Sequence, residues 1–342
     1  MKVNLKTVFA AVAAAAVLVG CAEGVDAVLQ CGVDENADGV MSVRMIYEDV
    51  PTKAQADDYA LALDEEKSVK KVSVLVFDKS TGMLNASKEL ASVSQECKMN
   101  LPVGDKIVYA LVNGPAVGSI TRLEQFRALI DNLALNNVSN DGFTLVGSAD
   151  CKVESGKTAE PTIAVKWLVT RIVLDKITCK IAPQYGNMTV DCVYLGNANT
   201  VQTLSGSVSD MVNPDGYADA SKTRPIGKNG EKGACPDYLY RNVGTTISVG
   251  QNASSPYYMY CHPNASTTYT CLYVVATIGG EKYYYRVPLK STLKANYSYS
   301  VEITIANLGS PVPPTGDYQN GAIQAVISIG GWTVGNSFEA EF

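Results

Sequence analysis

Alternation of apolar and polar residues recurs along most of the chain, and this period of two is typical of strands with one buried and one exposed face. Soon after Gly39, one face of such a strand carries Met41, Val43, Met45 and Tyr47. Apolar runs bounded by turn residues predict further strands over 69–77, 106–113, 143–148, 161–181, 188–195, 246–249, 257–261, 268–278, 282–288 and 297–306. The chain is therefore predicted to be mainly β.

One segment has helical rather than strand spacing. Thr121 and Glu124 have the separation of a capping box, in which a hydroxyl and a carboxylate bind each other's backbone N–H groups. Apolar side chains then follow at helical spacing, at Leu123, Phe126, Ile130 and Leu133. We expect one short helix whose apolar stripe packs on the core.

The length of 342 residues suggests two domains, at about 150 residues per domain. We expect two β-sandwich domains of Greek-key, transthyretin-like type at 54–165 and 166–308, with the helix in the first. A Pro-rich hinge and a strand-like appendage follow at 309–342. Near the end of this appendage, apolar residues alternate with glutamates, at Phe338, Ala340 and Phe342.

Residues 1–20 have the pattern of a secretion signal, with lysines ahead of a 12-residue apolar stretch at 8–19 that is too short to span a membrane stably. The stretch runs into Gly20 and Cys21, which resembles the bacterial lipobox. We expect cleavage between these two residues and acyl chains, palmitate among them, on Cys21. The protein is then expected to be anchored at the outer membrane rather than to span it. An ordinary signal peptide followed by a chance cysteine is the alternative.

Cysteine is frequent for an exported chain, with nine residues in total. Cys179 and Cys192 lie symmetrically about one predicted turn, and Cys261 and Cys271 lie symmetrically about another. Across an antiparallel ladder, either pair is close enough for a disulfide. Buried free thiols are the alternative for each pair.

Charge and composition exclude several classes of protein. The 28 basic and 34 acidic residues give a net charge of −6, and without a basic face we expect no nucleic-acid partner. The chain has one histidine and no nucleophile elbow, so we expect neither an enzyme nor a cofactor. Asp34, Asn36 and Asp38 match the opening half of a calcium loop, but the position of its bidentate glutamate is Met45. A turn-forming tether is the preferred interpretation, and no metal site is expected.

Several segments, taken in order, carry a resemblance to a known family. Beginning with the lipobox cysteine Cys21, the chain resembles the fimbrillins of the Bacteroidales type V pili through most of its mature length. The matching segments are the strand 69–78 with its turn at Gly82, the strand 107–113 ahead of the helix, the segments 168–174 and 296–305, and Trp332.

The resemblance implies a structural pilus subunit that serves adhesion. A maturation protease would cut the acidic loop at 48–66, which we expect to be exposed, between Lys53 and Ala54; the best-known members have Arg where this chain has Lys53. The lipidated propeptide 21–53 would then leave with the first strand, and the C-terminal strand of another subunit would replace it by donor-strand exchange. The implied partners are copies of this chain, related pilus subunits, the protease, and a host or bacterial surface receptor.

The sequence leaves two other functions open. An anchor lipoprotein of the same assembly would keep its lipid, and Lys53 in place of Arg favours that reading. A surface glycan-binding lipoprotein would use an aromatic platform, for which the candidates are Tyr257, Tyr258, Tyr260, Tyr283, Tyr284 and Tyr285.

Overall fold

The computed structural model describes residues 39–48, 61–92, 95–139, 141–206, 237–254, 256–265, 269–289, 292–312 and 323–332. Several predicted features lie outside these residues and stay predictions. They are the signal peptide with Gly20 and Cys21, the calcium candidates Asp34, Asn36 and Asp38, the cut at Lys53 and Ala54, and the donor residues Phe338, Ala340 and Phe342.

The described residues are mainly β, as predicted. The strands are β1 (Gly39–Tyr47), β2 (Val72–Asp78), β3 (Leu84–Leu90), β4 (Cys97–Leu101), β5 (Gly104–Val112), β6 (Ile130–Asn132), β7 (Leu145–Val153), β8 (Thr158–Ala159), β9 (Thr162–Trp167), β10 (Thr170–Cys179), β11 (Met188–Gly196), β12 (Val201–Thr203), β13 (Tyr240–Ile247), β14 (Asn252–Ala253), β15 (Tyr257–Cys261), β16 (Cys271–Ile278), β17 (Glu281–Pro288), β18 (Tyr297–Ile305) and β19 (Ile323–Gly331). The helix α1 is Leu123–Arg127, and 3₁₀ turns occupy Glu65–Lys67, Pro183–Tyr185 and Asp237–Leu239.

Strands from the first half form one large sheet in the order β3-β2-β5-β7-β9-β1-β4, with β8 also paired to β1. β2 is buried on both faces, which explains its nearly continuous apolar sequence. β1 is an interior strand: it runs antiparallel to β4 on one edge and parallel to β8 and β9 on the other. The first strand of the described residues thus lies second from one edge of the sheet, with neighbours on both sides.

Strands from the second half form two sheets, in the orders β14-β10-β18-β19, with β15 also paired to β10, and β13-β11-β16-β17. Apolar side chains from both sheets share one core. β19 pairs with β18 along its whole length. Residues 323–331 of the predicted appendage are therefore part of this sheet.

The two halves of the chain are also joined directly. β6 and β12 form a small ladder between them. The core of the large sheet includes Tyr260 and Trp332 from the second half, so apolar packing continues across the boundary. The division into domains at 165 and 166 stays a prediction.

Two predicted elements differ in extent. The helix is one turn long and ends before Ile130, which lies in β6, and its first turn is capped by Gln125, whose Oε1 accepts from the N–H groups of Thr121 and Arg122. The single strand predicted over 161–181 is interrupted between β9 and β10. Leu168 donates its N–H to the Thr144 carbonyl, which continues the register of β9 with β7, whereas β10 pairs with β14, β15 and β18 in a different sheet.

The disulfide expectation at Cys179, Cys192, Cys261 and Cys271 is wrong in this structure, where all four are buried free thiols. A disulfide in either pair requires the two cysteines to lie across one hairpin. Instead β10 and β11 belong to different sheets, and so do β15 and β16. Burial raises the pKa of Cys192 to about 11 and that of Cys261 to about 12, so both are protonated near neutral pH.

Candidate functional site

The inner face of β1 fills a groove in the core of the large sheet. Met41 is fully buried and Val43 and Met45 are nearly so, as their alternation predicts. The opposite face, at Ser42 and Arg44, is half-buried. Burying side chains of this size contributes roughly 1.5–3 kcal/mol each, so an empty groove would be strongly unfavourable.

The backbone of β1 has partners along both edges. Met41 lies opposite Met99 of β4, and Tyr47 lies beside Val165 of β9. Just beyond the strand, Glu48 donates its N–H to the Val165 carbonyl at 2.7 Å. Removal of β1 would leave two strand edges with unpaired N–H and C=O groups, which is the arrangement that an extended segment from another chain completes.

The end of β1 lies against aromatic and polar groups from distant parts of the chain. The rings of Tyr47 and Trp167 have centroids 5.6 Å apart, and Tyr47 Oη donates to the Lys67 carbonyl at 3.3 Å. The Glu48 carbonyl accepts from Asn296 Nδ2 at 3.2 Å. Burial raises the pKa of Tyr47, so the hydroxyl stays protonated as a donor.

Glu66 corrects the prediction that the whole 48–66 loop is exposed, because its side chain is completely buried. Its Oε2 lies 2.7 Å from Arg171 Nη1, whose side chain is also fully buried. Its Oε1 accepts from Tyr260 Oη at 2.6 Å, and the Leu63 N–H donates to Oε2 at 2.6 Å. Burial raises the pKa of Glu66, while the charge of Arg171 and the Tyr260 hydrogen bond oppose that rise.

Trp332, directly after β19, completes this buried group. Its ring stacks on Trp167 with a centroid distance of 4.4 Å, and Arg171 Cζ lies 4.8 Å from the ring centroid. The backbone N–H of Trp332 donates to the Asn296 carbonyl at 3.0 Å. We refer to Tyr47, Glu66, Trp167, Arg171, Tyr260, Asn296 and Trp332 as the boundary cluster.

Sequence reasoning found the two ends of this cluster but not its charged centre. The alternation predicts Tyr47 on the first strand, and Trp332 is one of the residues that carry the family resemblance. Arg171 did offer a signal, because it is a lone charge within the apolar run 168–174. Glu66 offered none, because it follows Glu65 in an acidic stretch that is typical of a solvated loop.

A second buried pair of titratable side chains, His262 and Asp131, lies at the β6–β12 ladder between the halves. His262 Nε2 is 3.4 Å from Asp131 Oδ2, and both side chains are fully buried. Thr144 Oγ1 and Asn136 Nδ2 donate to the other oxygen of Asp131 at 2.7 and 2.6 Å. Burial lowers the pKa of His262, although Asp131 opposes that change. Within the described ranges, no group of three or more His, Cys, Asp or Glu side chains is placed to hold a metal ion.

The tyrosines proposed as a glycan platform do not share one exposed face. Three of them, Tyr257, Tyr258 and Tyr260, lie on β15. The other three, Tyr283, Tyr284 and Tyr285, lie on β17 in the other sheet. Tyr260 and Tyr285 are buried.

No helix among the described residues is long and apolar enough to cross a membrane.

The chain shares its fold with solved fimbrial and cell adhesion proteins, which confirms the expected likeness at the level of the fold. A proposed cell adhesion protein from Parabacteroides distasonis is 16% identical, with a TM-score of 0.61 over 86% of this chain and 97% of that one. A fimbrilin from Porphyromonas gingivalis is 15% identical, with a TM-score of 0.59 over 88% and 99%. The tip fimbrial protein Mfa3 of the same species is 15% identical, with a TM-score of 0.51 over 86% and 99%.

The similarity lies in structure rather than in sequence. No family model matches the chain, and no curated protein matches it either. The three solved structures are described as adhesion or fimbrial proteins, not as enzymes. At these identities the likeness shows the fold.

Proposed function

We propose that this protein is a structural subunit of a type V-like fimbria, a cell-surface appendage that serves adhesion. The precursor is a lipoprotein held in the outer membrane by acyl chains on Cys21. A protease cuts the loop between Lys53 and Ala54, and β1 leaves with the propeptide. The carboxyl-terminal strand of a second copy, or of a related pilus subunit, then occupies the vacated groove.

The observation that carries this proposal is the position of β1. It is at once the first strand of the described chain, an interior strand of its sheet, and a filler of the core. A strand in this position can be replaced only by another strand with apolar residues at alternate positions. The sequence supplies one at Phe338, Ala340 and Phe342.

Exchange of this kind joins subunits head to tail. The groove lies in the large sheet, while β19, which leads toward the terminal segment, lies in a sheet of the second half. Donor and acceptor are thus different surfaces of one subunit, and contacts between unlike surfaces generate an open fibre unless the rotation closes a ring.

The test is intact mass and N-terminal sequencing of protein sheared from cells of the source bacterium. Phe338→Asp combined with Phe342→Asp places charges on the apolar face of the proposed donor strand. The matched control, Glu339→Gln combined with Glu341→Gln, changes only the opposite face. We expect oligomers of chains that begin at Ala54 from the wild type and the control, and cleaved monomers from the aspartate variant.

Two results would overturn the proposal in different ways. A chain that still begins at acylated Cys21, with no shorter form, would reject the cleaved subunit and support the anchor lipoprotein. Equal oligomer ladders from the aspartate variant and its control would reject the carboxyl-terminal segment as the donor.

A further inference from the structure

Three segments that are far apart in sequence meet at the boundary cluster. The first is the end of β1, at Tyr47 and Glu48, which lies on the amino side of the proposed cut. The second is residues 61–67, on its carboxyl side, which we call the strap. The third is Trp332, the last described residue before the terminal segment.

The strap is attached to the second half by the buried charges. Arg171 Nη1 lies 2.8 Å from the Leu61 carbonyl as well as 2.7 Å from Glu66 Oε2. Trp167 Nε1 donates to the Glu66 carbonyl at 3.1 Å. None of these bonds involves β1, so they remain when β1 is gone.

The end of β1 makes a different set of contacts. The Tyr47 ring contacts Trp167, and the Glu48 carbonyl accepts a hydrogen bond from the Asn296 side chain. These same two residues contact Trp332, by ring stacking and by the Asn296 carbonyl. Arg171, Tyr260 and Phe143, none of them in β1, also pack on the Trp332 ring. Asn296 also has φ of 65°, a left-handed conformation that its surroundings must maintain.

We propose that the boundary cluster is a latch through which the presence of β1 keeps Trp332, and with it the base of the carboxyl-terminal segment, in place. Loss of β1 removes the Tyr47 ring from Trp167 and the Glu48 carbonyl from Asn296, and Trp332 loosens. The strap stays bound through Glu66 and Arg171, so the two halves remain joined. This inference rests on the proposed function, because that function supplies the removal of β1.

The latch is tested in the full, uncut chain by removing the contacts of β1 one at a time. Tyr47→Ala deletes the ring, and Asn296→Gly deletes the side-chain bonds while tolerating the left-handed backbone. We expect amide hydrogen exchange over 323–332 to accelerate about tenfold in each variant, because one aromatic contact or two hydrogen bonds are lost. Exchange over the strap is expected to change less than threefold in Asn296→Gly, roughly the effect of half a hydrogen bond. In Tyr47→Ala the strap also loses the bond from Tyr47 Oη to the Lys67 carbonyl, so Asn296→Gly is the variant that tests the strap.

Matched controls separate a latch from general weakening. Met41→Ala damages β1 away from the cluster, and Asn197→Gly changes another asparagine with positive φ. The chain has two tryptophans, Trp167 and Trp332, so the circular dichroism of their stacked pair reports this cluster alone. We expect that signal to weaken in Tyr47→Ala and Asn296→Gly and to persist in both controls.

The proposal fails if Met41→Ala accelerates exchange over 323–332 as much as Tyr47→Ala does, or if neither cluster variant changes it. Failure of the proposed function is seen separately, in protein sheared from cells. Oligomers that form from a chain without a latch response would reject the latch alone. A latch response in a chain that is never cut or polymerised would reject the fimbrial function alone.

Discussion

β1 and β19 are the first and last strands of the described chain, and they occupy contrasting positions. β1 has paired neighbours on both edges and an inner face that is buried from Met41 to Met45. Among the described residues, β19 pairs only with β18, and Val326 and Ile329 are 65% and 51% exposed. The strand that we propose to leave is therefore the one that the core needs, whereas the strand that leads to the donor segment contributes little to it.

The two strands nevertheless end at the same place. Tyr47 is the last residue of β1, Trp332 directly follows β19, and both rings contact Trp167. The two strands thus differ in burial along most of their residues, but their ends both contact the boundary cluster. Substitutions can separate these contributions, because the strands, the charged centre and the second buried pair are distinct sets of residues.

The largest expected effect comes from the charged centre on which both strand ends converge. Arg171→Met leaves the Glu66 carboxylate buried without its partner, and we expect the free energy of unfolding to fall by about 4 kcal/mol. Denaturant unfolding followed by tryptophan fluorescence measures it. Adding Glu66→Gln to the Arg171→Met variant removes the buried charge, and we expect about half of the loss to be recovered. A double variant as unstable as the single one would contradict this account.

The contrast between the strands is tested directly by truncating one apolar side chain in each. Met41→Ala opens a cavity in the core and is expected to lower the free energy of unfolding by about 3 kcal/mol. Ile329→Ala, on the exposed strand, is expected to change it by less than about 0.5 kcal/mol. Thermal or denaturant unfolding of both variants decides the point, and equal losses would show that β19 is as necessary to the fold as β1.

A smaller effect isolates the hydroxyl at the end of β1 from its ring. Tyr47→Phe keeps the contact with Trp167 but removes the bond to the Lys67 carbonyl, and we expect a loss of about 1 kcal/mol. Tyr185→Phe, at a more exposed tyrosine, serves as the control and should be neutral. If Tyr47→Phe were as damaging as Tyr47→Ala, the hydroxyl rather than the ring would hold this end of the strand.

The smallest expected effect concerns acid and the second buried pair. Burial lowers the pKa of His262, so the folded state favours the neutral ring, and its contribution is present above the unfolded value of 6.5 and is lost as the pH falls below it. Wild-type stability should therefore fall more steeply than that of His262→Gln between about pH 7 and about pH 5. The raised pKa of Glu66 changes the stability with pH in the opposite direction, and Glu66 is present in both proteins. Parallel pH profiles would contradict the assignment to His262.

Local pattern accounts for much of the fold but not for its connections. The alternation from Met41 to Met45 correctly predicts which face of β1 is buried, and the apolar run of β2 correctly predicts a buried strand. The helical stripe fails beyond Arg127, because the backbone at Ile130 pairs with β12 instead. The cysteine symmetry fails because strands adjacent in sequence enter different sheets.

The sequence by itself determined the β class and the buried face of the first strand, because these depend on residue order and on a period of two. The expectation of a fimbrillin-like fold came from the resemblance of several segments to that family. Only the tertiary structure decided that β1 lies inside its sheet and that Glu66 is buried with Arg171. Their positions differ by 105 residues, and no local pattern encodes a pair so distant. A carboxylate is stable in the core only where the fold brings a cation and hydrogen-bond donors to it, and that is a property of the assembled chain.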